Sequence, residues 1–563
     1  MNDSEKLLAG LLAVVLLAMT SVPAEAFMID EASTLSVSAK METRASLRLQ
    51  SAEKNGYSYP RDTDLGDLVQ HRNLLNLEIT HDLENLTRQL DLLYPLRALD
   101  LQAKYRVVGR FMYEGIYDYG PEMFRDVRDS DKDNIDSFKQ SYDLWECYAD
   151  ISRGPFLMRV GRQILAWGET DIFRLLDGIN PIDNSFGGVF EDLDDRRIPL
   201  CMLMANYNLG TFGPVSSLTL EGFWVPGTLD ARVAPWAPLG TPYMVPDPDV
   251  SVYNRLYINT PDRKMSNSRW GGRLQWLLGS SLSLSVAHYQ TFLDLPTTYF
   301  VLANPVEGPL LDFSQLRING DYPSLQVTGG SMSFWEPMTN IVFRGEIAQF
   351  WDEPLFEISQ NARPLLADFV PVPSVVLDAI AVSAREDPRS FGFFGVPLSP
   401  KSGNIAKRDI LRWMIGFDKQ LWMRKLNKES MFFTSFQYFG QWIQDHRQDT
   451  IIPCAIPDKF VPGTVNSITG EPVPNYLNFP EIGKTEHIFT MLITTNYKKG
   501  CLIPQMAAAY DLSGVWLLLP SIKYIREPFR FSIQYAGIVG NYTSFGLFRD
   551  RDQMSFTLTY LLN

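Results

Sequence analysis

The chain is 563 residues long, carries a formal net charge of −14, and is 45% hydrophobic and 12% aromatic. An acidic balance without a basic run excludes a nucleic-acid-binding face. Beyond the N-terminal segment no apolar run is long enough for a spanning helix, because Val515 to Leu519 is cut by Pro520, so helical spanning is excluded as well.

Chain order starts with an export signal. Leu7 to Met19 is apolar, and Ala24 and Ala26 fit the small-x-small cleavage pattern, which predicts a leader over 1–26 and a mature chain from Phe27. The rival reading is an uncleaved anchor, for which the apolar stretch is short. An ordinary soluble chain of this length would split into domains. No Gly/Ser- or Pro-rich linker marks a boundary, so 27–563 is read as one unit.

That unit is built of period-two segments. From Leu35 to Leu49 the odd positions are mostly apolar, while Lys40, Glu42 and Arg44 sit among the polar even ones. Leu75, Leu77 and Ile79 alternate with polar residues, as do Ala103 to Tyr113 with a set that includes Arg106 and Arg110. A strand-like pattern surrounds Cys147, and another strand ends at Gly161. Strands follow around Leu218–Leu220, Leu274–Leu278 and Leu282–Val286, with Gly279-Ser280 as a tight turn. Later ones run over 341–350, 411–422, 431–442, 488–497, 504–512, 515–525, 529–538 and 554–562. Charges of both signs on one strand face suit a lumen, where neighbouring strands pair them. The last strand, apolar at Met554, Phe556, Leu558, Tyr560 and Leu562, reaches almost to the terminus, as barrel closure requires.

The predicted fold is therefore all-β: a single-chain transmembrane antiparallel barrel of about 16 strands, within roughly 14 to 18, with even parity expected. Aromatics near strand ends (Tyr113, Tyr117, Trp413, Trp422, Tyr438, Trp442, Tyr535, Tyr560) fit two interfacial girdles or plain strand preference. Long, proline-interrupted insertions are predicted over 223–255, 350–407 and 446–483. Within the second, Phe369, Val370, Val375, Val376, Leu377 and Ile380 form a strongly apolar stretch. It either folds inward as a constriction, touches the membrane as a landing site, or packs on itself outside.

The most distinctive stretch begins at Gly161-Arg162-Gln163. It continues through Trp167-Gly168-Glu169 and Asp171 to Asp177, Asn180-Pro181 and Asp183, and ends at Arg197-Ile198-Pro199. Gly168 permits a sharp bend and Asn180-Pro181 marks a turn. The charges predict a lumenal constriction in which Arg162 and Arg197 pair with Glu169, Asp171 or Asp183. Together with Arg344-Gly345-Glu346 and Gly416-Phe417-Asp418, these motifs resemble the DUF1302 family of Gram-negative outer-membrane β-barrel proteins, in order and over most of the mature chain. The chain departs from the usual barrel signal in ending Leu562-Asn563 rather than on an aromatic residue. The resemblance implies a place in the outer membrane, a periplasmic lipoprotein-like partner and an inner-membrane exporter of the resistance-nodulation-division type. It assigns no catalytic residue.

Chemistry motifs are absent from the sequence. His71, His81, His288, His446 and His487 form no zinc spacing, and there is neither a Gly-x-Ser-x-Gly element nor a phosphate loop. A barrel-borne hydrolase is the minority reading. Cys147, Cys201, Cys454 and Cys501 are too widely spaced for sequence to pair them. No resident cofactor is expected; a bound lipid, or a divalent cation held by the acidic balance, is the only ligand of that kind the sequence admits. The main functional expectation is a conduit for hydrophobic or amphipathic molecules, framed by Lys40, Glu42, Arg44, Arg106 and Arg110 and narrowed by the Arg162–Arg197 stretch. The alternatives are a docking barrel that anchors a periplasmic partner through a satisfied Arg162–Arg197–Asp183 network, and a general porin for small polar solutes.

Overall fold

The computed structural model describes residues 27–28, 35–50, 63–83, 101–130, 132–236, 256–302, 316–357, 405–448, 450–451, 481–541, 543–549 and 551–562. The predicted leader, the apolar stretch Phe369–Ile380, Cys454 and most of the predicted insertions fall outside them.

Alternating side chains build one large antiparallel sheet of twenty strands. Two of these, Phe27–Met28 and Thr450–Ile451, are two-residue appendages. The other eighteen close on themselves. In chain order they begin with β1 (Leu35–Arg48), β2 (Leu68–Asp82), β3 (Gln102–Glu114), β4 (Gln140–Arg153), β5 (Phe156–Gln163) and β6 (Leu200–Phe212). Next come β7 (Val215–Val225), β8 (Arg269–Leu278), β9 (Leu282–Phe292), β10 (Ser324–Glu336), β11 (Ile341–Glu357) and β12 (Ala406–Leu421). The ring ends with β13 (Phe432–Ile443), β14 (Thr485–Thr495), β15 (Leu502–Asp511), β16 (Val515–Arg526), β17 (Phe529–Gly540) and β18 (Gln553–Leu562). Each strand pairs with the next, and β18 returns to β1 from Ala39↔Leu562 to Arg48↔Gln553.

The expected sixteen strands are thus corrected to eighteen. The two that alternation does not reveal are β6 and β10. Strand β6 shifts register twice against β7, at Asn208/Gly210 and Gly210/Phe212, and each shift breaks the period of two. Strand β10 carries Gly329 and Gly330 in its middle, so neither face reads as apolar.

The outward face is apolar along most strands. Leu77, Leu144, Val160, Leu220, Val286, Ile347, Ile415, Ile522, Ile533 and Phe556 are all exposed there. This is the surface a bilayer requires of a closed barrel. Trp224, Trp270, Trp351, Trp442 and Trp516 lie exposed near one end, and Trp335, Trp422 and Phe529 near the other. Tyr117, expected in a girdle, is instead buried with Ile116, Phe124 and Ile135 among three short helices between β3 and β4. Cys147 stands opposite Val107, on the outward set; among the described residues Cys147, Cys201 and Cys501 are free.

The two ends differ. Turns at 154–155, 213–214, 279–281, 337–340 and 527–528 are tight and share the end that holds the start of β1 and the finish of β18. The opposite end carries most of the long connections, including a small sheet of Leu256–Asn259, Thr297–Leu302 and Leu316–Asp321. One long connection, 164–199 between β5 and β6, turns inward instead of outward.

Candidate functional site

The inward turn starts from glycine geometry. Gly161 has φ 129°, and a Cβ there would lie 2.2 Å from the Cys147 carbonyl oxygen. Only glycine lets β5 run this close to β4 while releasing the chain into the lumen. Gln163 is buried and donates to the Met202 carbonyl at 3.1 Å. The outgoing and returning limbs are then clasped by Asn180, which is 0% exposed. Its Oδ1 accepts from the Leu165 amide at 2.9 Å, and its Nδ2 donates to the Ile198 carbonyl at 2.8 Å. Ile182 and Arg197 bridge beside it.

From this neck the segment crosses to the apolar wall of β6 to β13. Trp167, 1% exposed, meets Phe223 and Tyr289 edge-on at 5.4 and 6.0 Å, and its indole N–H donates to Glu221. Gly168 follows at φ 142°, where a Cβ would sit 3.1 Å from Glu346. That closeness lets the Glu346 carboxylate accept two backbone amides, Glu169 at 2.7 Å and Leu176 at 2.5 Å. Neighbouring Arg344 donates to the Glu169 carbonyl at 2.7 Å and to Asp171 at 2.9 and 2.7 Å. It also donates to Asp418 at 2.8 Å. Gln437 adds a bond to Asp171 at 2.8 Å, and Phe173 packs on Phe439 at 5.5 Å. Burial holds the Glu169 carboxyl above its ordinary range, against the pull of Arg344.

The far end reaches the opposite wall. Gln70 donates to the Phe186 carbonyl at 2.5 Å. Glu191 is gripped by Arg44 of β1 and by Arg72 of β2, the latter at 3.2 Å. Burial alone would raise the Glu191 carboxyl, but the two guanidinium groups hold it below the usual carboxylate value. Next to it, Phe190 packs into a cluster with Ala509, Leu517, Ala536, Ile538 and Phe545. The segment is thus a bridge across the lumen, fastened at both sides.

The remaining inner wall, on β1 to β5, is a ladder of charges. Lys40 pairs with Glu42 at 3.0 Å, and Arg106 with Glu78 at 3.0 Å and Glu146 at 3.5 Å. Arg159 pairs with Asp150 at 2.6 Å. Arg110 donates to Asn76 at 3.1 Å and lies 3.6 Å from the ring centre of Trp145, the extra residue of a bulge in β4. Arg106 and Lys104 remain accessible, with side chains 38% and 56% exposed.

The expected pairings inside the segment are corrected. Arg162 does not reach Glu169, Asp171 or Asp183; it pairs with Asp143 on β4, at 2.5 Å for one contact, because it sits on the wall rather than on the bridge. Arg197, on the returning limb, pairs with Asp177 at 2.5 Å and with Asp194. Asp183 accepts from the Ser185 amide at 2.8 Å, and burial pushes its carboxyl up. The Arg162–Arg197–Asp183 network is not formed. Arg72, Glu191 and Trp145 escape the sequence reading, and Glu221 enters it only as a polar strand position beside Leu220. Only Glu191 and Glu221 carried a signal, each a carboxylate set beside apolar residues. Among the described residues no group of three or more His, Cys, Asp or Glu residues is placed to hold a metal.

A family model described as "Protein of unknown function (DUF1302)" matches residues 7–562. No curated protein matches the sequence. Among solved structures, OccK3 (OpdO) of Pseudomonas aeruginosa is 9% identical with a TM-score of 0.43, over 94% of this chain and 95% of that one. OccAB3 of Acinetobacter baumannii is 9% identical with a TM-score of 0.42, over 94% and 98%. OccK9 (OpdG) of Pseudomonas aeruginosa is 10% identical with a TM-score of 0.42, over 95% and 99%. Likeness this distant carries no argument about what the present barrel passes.

Proposed function

The chain belongs to the DUF1302 family, and we propose that it is an outer-membrane conduit for hydrophobic or amphipathic small molecules or lipids, narrowed by its own segment 164–199. A barrel of this strand number encloses a bore wide enough for water unless something fills it. Here the filling is one bridge, and the observation that carries the reading is the contrast between the surfaces around it. Accessible charges on β1 to β4 offer anchors for a head group, while the apolar cluster of Phe190 with β15 to β17 suits a tail. The tight-turn end faces the periplasm. There a lipoprotein-like partner and an exporter of the resistance-nodulation-division type would meet it. The 1–26 leader directs export.

The test is flux through protein reconstituted in liposomes, comparing sugars and amino acids with a medium-chain fatty acid. Saturable flux of the amphipath with exclusion of the polar solutes supports the reading. Flux that scales with solute size alone favours a general porin, the second reading, which the exposed Lys104 and Arg106 support. No flux of any solute, even after the bridge is undocked by Glu346→Ala, leaves a docking barrel.

A further inference from the structure

Pro520 lies in the middle of β16. Toward β15 the ladder is unbroken, with Met506 opposite Pro520 and Ala507 opposite Leu519. Toward β17 it stops. Pairs run from Val515↔Gly540 to Leu518↔Gly537 and resume at Ser521↔Gln534 with the same offset, so Leu519/Ala536 and Pro520/Tyr535 are not joined. The cause is chemical: proline has no N–H to give the facing strand. Other interruptions among the described barrel seams are register shifts, where a bulge re-forms the ladder. Within the hydrocarbon layer no water replaces a missing ladder bond.

Both faces of this seam are mainly apolar, with the Ser521–Gln534 pair closing the gap on the inner side. Outward lie Leu518, Pro520, Ile522 and Ile533. Inward lie Leu517, Leu519, Ala536 and Ile538, and the mouth is filled by Phe190 of the bridge and Phe545 of the turn before β18. A path through this point passes Tyr535, which faces Pro520 and donates to Asp552 at 2.7 Å, but meets no ladder of arginine–carboxylate pairs like that of β1 to β5. We propose that the β16–β17 seam at Pro520 is a lateral portal, through which the apolar part of a solute passes between lumen and bilayer, with Phe190 and Phe545 as its inner stopper. This rests on the conduit reading and gives it a route.

The experiment uses cells carrying the full-length protein, with its four native cysteines replaced by serine, and the apolar probe 1-N-phenylnaphthylamine. Leu519→Cys with Ala536→Cys staples the seam on oxidation. Leu492→Cys with Ala507→Cys staples the continuous β14–β15 ladder as a control. The portal predicts that the first staple lowers uptake to the level of cells lacking the protein, reversibly with reductant, and that the second leaves it unchanged. Pro520→Thr, which restores the donor, slows both uptake and hydrogen exchange of the flanking Leu519 and Ser521 amides. Phe190→Ala raises uptake, and the staple abolishes the gain. Equal uptake with the seam stapled and reduced overturns the portal while leaving the conduit standing. Uptake no higher with the unstapled protein than without it overturns both.

Discussion

Glu346 and Glu191 both fasten the bridge, in opposite ways. Glu346 belongs to the wall and accepts two backbone amides from the bridge. Glu191 belongs to the bridge and is held by two arginines of the wall. At the Glu346 end the carboxylate itself holds main chain, so that contact fixes the path of the segment whatever side chain follows, with Asp171 and Trp167 adding side-chain contacts beside it. At the Glu191 end the charged contact rests on one ionised carboxylate, beside the Gln70 bond to the Phe186 carbonyl and the packing of Phe190. The difference separates an anchor from a catch: the first sets where the bridge lies, the second can be released by chemistry alone.

That distinction can be broken most severely at the anchor. Glu346→Ala leaves the Glu169 and Leu176 amides without an acceptor, at about 1–3 kcal/mol each. The expected result is a large rise in single-channel conductance in planar bilayers; wild-type conductance would mean that Trp167 and Arg344 suffice. Glu191→Gln keeps the shape of the catch but removes its charge, losing about 1.5–3 kcal/mol of charge-assisted hydrogen bonding. Frequent opening with an unchanged closed level is expected, and a permanently open channel would show that the two ends are not independent.

Acid sharpens the same contrast. The folded Glu191 carboxyl lies below its ordinary value of 4.5, so its stabilisation is complete above that value and is lost as pH falls through the folded one. Asp177 and Asp183 are raised by burial, so their charged forms cost stability that acidification restores. Opening on acidification should therefore begin only below about pH 4.5 and should vanish in Glu191→Gln. A step nearer neutrality would point to another group. The smallest effect is expected on the ladder: Arg106→Ala should cost about 0–1 kcal/mol and shift ion selectivity toward cations, measured as a change in reversal potential, with the bridge undisturbed.

Most of the barrel was legible because lipid on one side and lumen on the other impose a period of two. Legibility failed where that period is broken for local reasons, at the doubled register shift of β6 and the glycines of β10. For the bridge, sequence located the segment and its bends, since Gly161, Gly168 and Asn180-Pro181 are local requirements. It could not pair the charges. Arg162 reaches Asp143 across the β4–β5 hairpin, nineteen positions away, and Asp171 lies 173 from Arg344, so the first pairing follows from hairpin register and the second from where the bridge lands on the wall, neither from motif spacing. The motif Arg344-Gly345-Glu346, read only as part of a family pattern, proves to be the dock on which the bridge rests.

The adjacency of Phe190 and Glu191 has a consequence for assembly. One residue packs against β15 to β17 and the next grips β1 and β2, so two consecutive side chains hold both flanks of the junction where β18 meets β1. In the closed barrel the bridge therefore ties the last strands to the first from inside. A chain that inserted its strands before seating this segment would have to close around an unfilled bore, with the first and last strands lacking the inner tie that brings them into register.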